Sequence, residues 1–463
     1  MQDYLSKVPP DVFKLCERLS QSGHRAWIVG GCVRDLILGR PVNDWDLCTD
    51  AKPDELLKIF PRAIPTGIQH GTVTVVEKGE HYEVTTLRGE GAYTDGRRPD
   101  SVYFTRELTE DLARRDFTIN AIALSPITGE LADPFSGQVD LRDKVLRAVG
   151  VATERFSEDG LRVLRAARFA AQLEFELEPS TMSAIRPTLS TYKKVAGERI
   201  RDEWMKTMKA AKPSRAFDIM KDTGILEVTC PELMESVGCE QNKYHSYDVW
   251  GHAMACMDAC PGDAILRISA LMHDVGKPRS RAFSEKTRDY TFYEHERIGA
   301  EMVEPICARL RFSTDERARV TDLVRHHMWH YDGWSDAAVR RWIKRVGKDR
   351  IEDLFLLRDA DVRGKGPDKA TPEDFLPTQQ LRAHVEKVLA EGAALSTRDL
   401  VVNGRDLMSE LGMRPGPAIG RVLEGLLDDV LGDTARNERS WLLARAKELL
   451  LAETSESSKA PKA

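Results

Sequence analysis

Gly30-Gly-Cys-Val-Arg-Asp-Leu-Ile-Leu-Gly39, followed shortly by Asp44-Trp-Asp46, is the stretch on which the reading of this chain turns. Before it, Trp27-Ile-Val29 is a short apolar run that reads as a strand, and Gly30 and Gly31 close it. From Cys32 to Leu38 the pattern is helical until Gly39 and Pro41 stop it. A strand that turns on glycines into a helix leaves backbone N–H groups able to approach a phosphate closely. Further on, Asp44-Trp-Asp-Leu-Cys48 alternates polar and apolar residues as a half-buried strand does, which would point both carboxylates to one face. Two carboxylates side by side repel unless a cation lies between them. Taken singly, each feature has a plain reading: a tight turn, and two solvated acids.

Nucleotidyl transfer needs two Mg²⁺ ions about 3.5–4 Å apart, one at the attacking hydroxyl and one at the leaving pyrophosphate, and an Asp-x-Asp pair suits that task. In order and spacing, Gly30 to Gly39 with Asp44 and Asp46 resembles the signature of the tRNA CCA-adding and bacterial poly(A) polymerase family, the class II nucleotidyltransferases. The resemblance implies an α+β fold. A polymerase-β-like head, a mixed sheet with helices, would precede a mostly helical neck, HD domain and tail. It makes Gly30, Gly31 and Arg34 nucleotide-binding and Asp44 and Asp46 the Mg²⁺ ligands. Thr72 to Glu77 and His81 to Leu87 are β-rich on either side of Lys78-Gly-Glu80, a hairpin pattern. Glu83, within the second of these strands, is the candidate third catalytic carboxylate, although an exposed strand residue fits equally. Gly91 to Pro99 looks like the family's loop beside the active site, and its composition suits an inert surface loop as well. Arg114-Arg-Asp-Phe-Thr-Ile-Asn-Ala121 matches the family's ribose-recognition motif. Arg114 and Arg115 can bind phosphate or sugar, Asp116 can accept from a ribose hydroxyl, and Asn120 completes the set.

From about Glu154 the pattern turns helical. Ser157 is a candidate N-cap, with Glu158 and Asp159 in a first turn. Asp159 and Arg162, three residues apart, would share one helix face. A carboxylate accepts from an exocyclic amino group and a guanidinium donates to an unprotonated ring nitrogen. Adenine and cytosine present that combination, whereas guanine and uracil present its reverse, so one Asp/Arg pair can admit ATP and CTP and reject GTP and UTP. The family's Glu-Asp-x-x-Arg motif falls on Glu158, Asp159 and Arg162 and carries this role. Arg165, one turn on, is a candidate triphosphate contact, and Gly160 inside a helix costs about 1 kcal/mol relative to Ala.

The C-terminal half holds His252, His273-Asp274, His295, His326-His327 and Asp361 in an order that resembles a metal-dependent HD phosphohydrolase domain. That resemblance makes His252, His273, Asp274, His295, His327 and Asp361 ligands of one or two divalent cations of unspecified identity, with phosphatase or phosphodiesterase chemistry among members carrying such a domain. Adjacent His273 and Asp274 would not both reach one metal from within a helix, so a helix end or paired metals is expected. Val401 to Gly420 resembles the family's body and tail, which support the fold and contact the tRNA elbow.

At 463 residues the chain exceeds one compact core. The expected division is a head at 1–148, a neck at 149–238, an HD domain at 239–366, a helical tail at 367–452 and a disordered end at 453–463. Residues 360 to 377, rich in Gly, Pro, Lys and Asp, read as a linker or long loop. The net charge of −6 neither supports nor excludes an RNA partner, because a sum hides local patches. Eight scattered cysteines without a Cys-x-x-Cys pair read as reduced thiols. With no signal-like N-terminal segment and no membrane-length apolar run, a cytoplasmic location and no membrane partner are expected. The expectation is therefore an enzyme completing the 3′ CCA of tRNA from CTP and ATP. A poly(A), A-only or CC-only polymerase is its nearest rival, and an HD phosphohydrolase a rival of another class. Oligomeric state is not legible.

Overall fold

The apolar run before the two glycines is a strand, Ala26–Val29 (β1), buried at all four positions. Gly31–Ile37 (α1) follows it, and then Leu47–Thr49 (β2), also buried throughout. Ala63–Gly67 (β3), Thr72–Glu77 (β4), Glu80–Thr86 (β5), Ala123–Leu124 (β6) and Leu131–Ala132 (β7) complete one mixed sheet in the order β3-β4-β5-β2-β1-β6-β7. A computed structural model supplies this description, for residues 4–91, 102–261 and 263–457. Most of the loop expected at 91 to 99 therefore lies outside the described residues.

β1 runs antiparallel to β2, with Trp27 opposite Cys48, and antiparallel to β6 on its other edge, so its buried backbone groups are paired on both sides. β4 and β5 form the expected hairpin. β2 and β5 are parallel, with Leu47 opposite Val84, and that register carries residue 46 alongside residue 83. One expectation fails here. The strand begins only at Leu47, so Asp44 lies in irregular backbone and Asp46 at the strand's threshold. Its carbonyl still accepts from Val29 N–H at 3.0 Å, but strand alternation does not orient Asp44.

The chain divides into two compact units. One comprises residues up to Met234 with Ile306–Phe312; the other comprises Glu235–Pro305 and the residues from Ser313 onward. In the first, helices Ala152–Glu158 (α2) and Leu161–Leu173 (α3) follow the sheet, then Gly197–Thr207 (α4). Ser157 is not a cap: it lies inside α2 and its hydroxyl donates to the Thr153 carbonyl at 2.7 Å. The capping contact belongs to Asp159, whose Oδ1 accepts from Leu161 N–H at 3.0 Å.

The second unit is nearly all helix. Val249–Ala259 (α5), Ala264–Met272 (α6), Thr314–His326 (α8, after His295–Arg309, α7) and Ile351–Gly364 (α9) pack together around Leu266, Leu323, Leu354 and Phe355. The helix α9 runs on through Gly364, so the linker expected from Ala360 is confined to a few residues after it; Ala360, Asp361, Val362 and Gly364 are buried in that last turn. Pro417–Gly432 (α10) and Arg439–Ser457 (α11) share an apolar core that includes Leu426, Val430 and Leu442. The disorder expected from residue 453 does not begin there, because α11 continues to Ser457. Residues 458–463 lie outside the described residues. All eight cysteines are free and buried.

Candidate active site and metal centre

Gly30 closes β1 with φ of 81°, a conformation that favours glycine, and a Cβ there would meet Arg115 Nη1 at 2.9 Å. The guanidinium of Arg115 thus lies against the glycine turn, and its Nε is buried without a hydrogen-bond partner. Asp111, fully buried, holds both neighbouring arginines: Arg114 Nη2 at 2.8 Å and Arg115 Nη2 at 3.3 Å. Arg34 Nη1 donates to Asn120 Oδ1 at 2.8 Å, and Asn120 Nδ2 donates to Asp116 Oδ1 at 3.0 Å. Arg165 Nε donates to Asp116 Oδ2 at 2.8 Å. Four residues singled out from three separate motifs therefore form one hydrogen-bonded wall. Burial alone would raise the Asp116 carboxyl, but Arg165, Asn120 and Arg162 together outweigh it and hold it at about 2.

This wall belongs to a cavity of about 510 Å³ that also contains Gly30, Gly31, Asp46, Asp159 and Arg162. Seven arginines and Lys206 line it, against Asp46, Asp116 and Asp159. A pocket so unbalanced suits a polyanion such as a triphosphate. A second cavity, of about 750 Å³, is lined by Asn43, Asp44, Trp45, Asp46, Thr74, His81 and Glu83 among others. Asp46 lines both. Partial burial raises its carboxyl above the usual range, and the Glu83 and Asp44 charges add to this while Arg115 opposes it. Crowding of like charges at one carboxylate is what a divalent cation relieves, so Asp44, Asp46 and Glu83 fit a Mg²⁺ site.

In the neck the expectation of a shared helix face is overturned. Asp159 sits between α2 and α3 in extended backbone, φ −135° and ψ 107°, and only Arg162 is helical. Gly160 stands at this break, and a Cβ there would lie 2.7 Å from the backbone of Tyr192, so the two segments meet at a distance that only glycine allows. Both side chains still reach the same cavity. They do not bond each other. Arg162 donates to Glu158 Oε2 at 2.6 Å and to the Arg114 carbonyl at 2.8 Å, while Asp159 is clasped by Arg199. Arg199, Arg168 and Lys206 were not singled out from sequence. For Arg199 the signal was the charged run Gly197-Glu-Arg-Ile-Arg-Asp-Glu203, which alone reads as a solvated helix face.

The six candidate ligands of the second unit converge. His252 projects from α5, His273 and Asp274 follow the last residue of α6, His295 opens α7, His327 follows α8 and Asp361 lies in α9. The Nε2 atoms of His252 and His273 are 3.2 Å apart, as are those of His295 and His327. About 3–3.4 Å is the separation of two ligand atoms that each lie roughly 2.1 Å from one metal ion. Asp274 faces both pairs: Oδ2 is 3.3 Å from His252 and 3.2 Å from His273, and Oδ1 is 3.3 Å from His295. Asp361 Oδ1 is 3.1 Å from His252 Nε2. The helix end resolves how adjacent His273 and Asp274 both point inward.

Three backbone carbonyls fix the imidazoles. Nδ1 of His273, His295 and His327 each lies 2.7 Å from the carbonyl three residues earlier, those of Ala270, Phe292 and Val324. A carbonyl only accepts, so these Nδ1 atoms carry a proton and each ring turns its Nε2 to the centre. Asp274 Oδ2 is buried without a well-formed hydrogen bond, although Lys277 Nζ lies 2.6 Å away. Burial pushes the Asp274 and Asp361 carboxyls up, yet the histidines with Lys277 and Arg358 hold both well below the ordinary range. Buried carboxylate oxygens among aimed imidazole nitrogens fit divalent cations, with Asp274 facing both sets of histidines. His326 is not part of either group. Sequence reading also missed Cys256, one helical turn from His252 with Sγ 3.4 Å from its Nε2, and Lys277.

Comparison with known proteins follows this geometry. Residues 26–147 match the family model described as the Poly A polymerase head domain, and residues 174–236 match "Probable RNA and SrmB-binding site of polymerase A". Residues 243–363 match the HD domain and 371–446 a tRNA nucleotidyltransferase domain 2. The chain is 33% identical over 455 residues to the CCA-adding enzyme of Streptococcus thermophilus, covering 94% of this chain and 97% of that one. It is 31% identical over 446 residues to that of Ligilactobacillus salivarius, covering 95% and 98%. Among solved structures, a Bacillus stearothermophilus CCA-adding enzyme in complex with CTP superposes with a TM-score of 0.68 at 26% identity, covering 98% of this chain and all of that one.

Proposed function

The chain belongs to the family of CCA-adding enzymes, RNA 3′-end nucleotidyltransferases, and on that premise we propose how its own residues do the work. The substrates are tRNA, CTP and ATP, and the product is the completed or repaired 3′ CCA. One observation carries the reading: Asp46 stands at the junction of a strongly basic cavity and an acidic one. The basic cavity takes the nucleoside triphosphate, with Arg114, Arg115 and Arg165 on the phosphates and with Asp116 and Asn120 on the wall where the ribose lies. Asp159 and Arg162 read the base edge. The acidic cavity takes the RNA 3′ end. Asp44, Asp46 and Glu83 would hold Mg²⁺, which when bound activates the attacking hydroxyl and steadies the leaving pyrophosphate. The hydroxyl attacks the α-phosphate and pyrophosphate departs through the arginine-lined side.

The four stretches matched by family models support the division into head, neck, HD domain and tail proposed from sequence. Among the described residues no helix is long and apolar enough to cross a membrane, and a cytoplasmic site of action is part of the same proposal. The test is incorporation into tRNA that lacks its CCA, with CTP and ATP supplied singly and together. Both nucleotides added in order C, C, A support it. A-only, CC-only or open-ended A addition would each replace it by the corresponding rival.

Two adjacent ligand groups, with Asp274 carboxylate oxygens within 3.3 Å of histidines of both, favour a second activity, metal-dependent phosphate-ester hydrolysis in the HD domain. His252, His273, Asp274 and Asp361 would hold one cation and Asp274, His295 and His327 another. Such ions when bound supply a nucleophilic water and neutralise phosphate charge. Lys277, buried with its ammonium against Asp274 and Gln241, adds a cation at the wall of that site.

A further inference from the structure

The base-reading residues of this chain are not left to themselves. Arg199, in the first turn of α4, donates from Nη1 to Asp159 Oδ1 at 3.1 Å and from Nη2 to Oδ2 at 2.7 Å. This is a bidentate fork, which fixes the plane of a carboxylate as well as its position. The fixing matters because Asp159 lies in extended backbone between two helices, where no helical turn restricts its side chain. A free carboxylate turns broadly about its last torsion.

We propose that Arg199 is a positioning residue that sets nucleotide selectivity by holding the Asp159 carboxylate in one orientation toward the base. The proposal rests on the reading of Asp159 as a base-reading residue and adds what makes that reading selective. An ionised carboxylate offers about four acceptor sites. Arg199 takes one on each oxygen and Leu161 N–H takes a second on Oδ1, so the site left open is on Oδ2. One fixed acceptor receives the exocyclic amino group that cytosine and adenine present. Uracil and guanine would set a carbonyl oxygen against it with no proton between, and a mismatch of this kind in a partly desolvated pocket is costly. A carboxylate able to turn away or to admit a bridging water would soften that penalty.

The platform is firm. In α4, Trp204 is fully buried against Phe217, with ring centroids 5.2 Å apart, and buried Glu203 pairs with Arg168. Arg201 anchors the same helix through a 2.6 Å bond to the Arg311 carbonyl. Arg162 does not compete for the fork, since its guanidinium is engaged by Glu158 and by backbone carbonyls.

The experiment measures kcat/KM for CTP, UTP, ATP and GTP on matched tRNA acceptors, for the wild type and for Arg199→Ala, Arg199→Lys and Asp159→Ala. The expected result for Arg199→Ala is at least a tenfold fall in both the CTP:UTP and the ATP:GTP ratio. Arg199→Lys keeps the cation without the fork and is expected to lose part of the same discrimination. The double variant Asp159→Ala/Arg199→Ala should be no less selective than Asp159→Ala alone. An equal loss for all four nucleotides, or unchanged ratios, overturns the proposal, because a merely structural arginine lowers every substrate alike. If Asp159→Ala itself leaves the ratios unchanged, the base-reading role fails first. If Asp159→Ala relaxes them and both Arg199 variants do not, only the proposal about Arg199 fails. Thermal melts accompany each variant, and if Arg199→Ala does not fold, the Arg199→Lys ratios decide.

Discussion

At the scale of single residues, Asp46 has the most demanding position in the chain. It faces like charges from Glu83 and Asp44 and borders both cavities, so no neutral isostere can replace it. Asp46→Asn is expected to lower CCA incorporation by about 10²-fold or more, the scale of losing a main electrostatic contact in a transition state. Its thermal stability should be unchanged or slightly raised as crowding eases; single-turnover kinetics and a melt check the two together. Asp116 is the opposite case, a buried carboxylate surrounded by donors and depressed to about 2 from an ordinary 3.8. A depressed carboxylate contributes stability that is complete above its unfolded value and is lost as pH falls through its folded one. The contribution, about 2 kcal/mol by the size of the shift, should therefore be full at pH 5 and nearly gone by pH 2. Urea unfolding of wild type and Asp116→Asn across that range should show the gap between them closing; a gap that persists at low pH would refute the ionic origin.

At the scale of elements, the break between α2 and α3 sets Asp159 in extended backbone just ahead of the helix that carries Arg162. Helix propensity alone says that Gly160→Ala should stabilise by about 1 kcal/mol. The structure predicts the reverse sign, because the added methyl would stand 2.7 Å from Tyr192 backbone atoms that are buried and cannot yield. Destabilisation of roughly 1–3 kcal/mol is expected from such overpacking. Equilibrium unfolding of this variant discriminates between the two, and any stabilisation would mean that the break has another cause. If the helices realign in the variant, Asp159 also turns and selectivity among nucleotides should fall with stability.

At the scale of the whole molecule, two chemistries with unlike ligand sets occur in one chain. The head offers three carboxylates, which suit a hard cation, while the HD centre offers four imidazoles with two carboxylates. Metal analysis of protein exchanged into trace-metal-free buffer and reloaded with Mn²⁺ should find two tightly held ions per chain in the wild type. His327→Ala should lose one of them and Asp274→Ala both, since Asp274 sets a carboxylate oxygen within 3.3 Å of histidines in each group. Both variants should keep CCA addition within about twofold, because no residue of the HD centre lines either cavity of the head. Retention of both ions in Asp274→Ala would refute the shared carboxylate.

Local chemistry in the sequence was enough to identify the glycine turn, the paired aspartates, the Arg-Arg-Asp segment and the ordered histidines, because each is a short run whose residue types carry their chemistry with them. Sequence order even selected His327 over His326. It did not place Asp44 correctly, since alternation implied a strand that starts only at Leu47. It drew Asp159 onto a helix that stops short of it, at a point where Gly160 meets the backbone of Tyr192, more than thirty residues away in the chain. Arg199 and Lys277 were invisible as site residues for the same reason: an arginine or lysine in a charged run looks solvated until folding brings a carboxylate to it. What the sequence determined by itself was which chemistries the chain carries. What only the tertiary structure decided was which partner each charged group meets, because those partners are distant in sequence and only the packing of the chain brings them together.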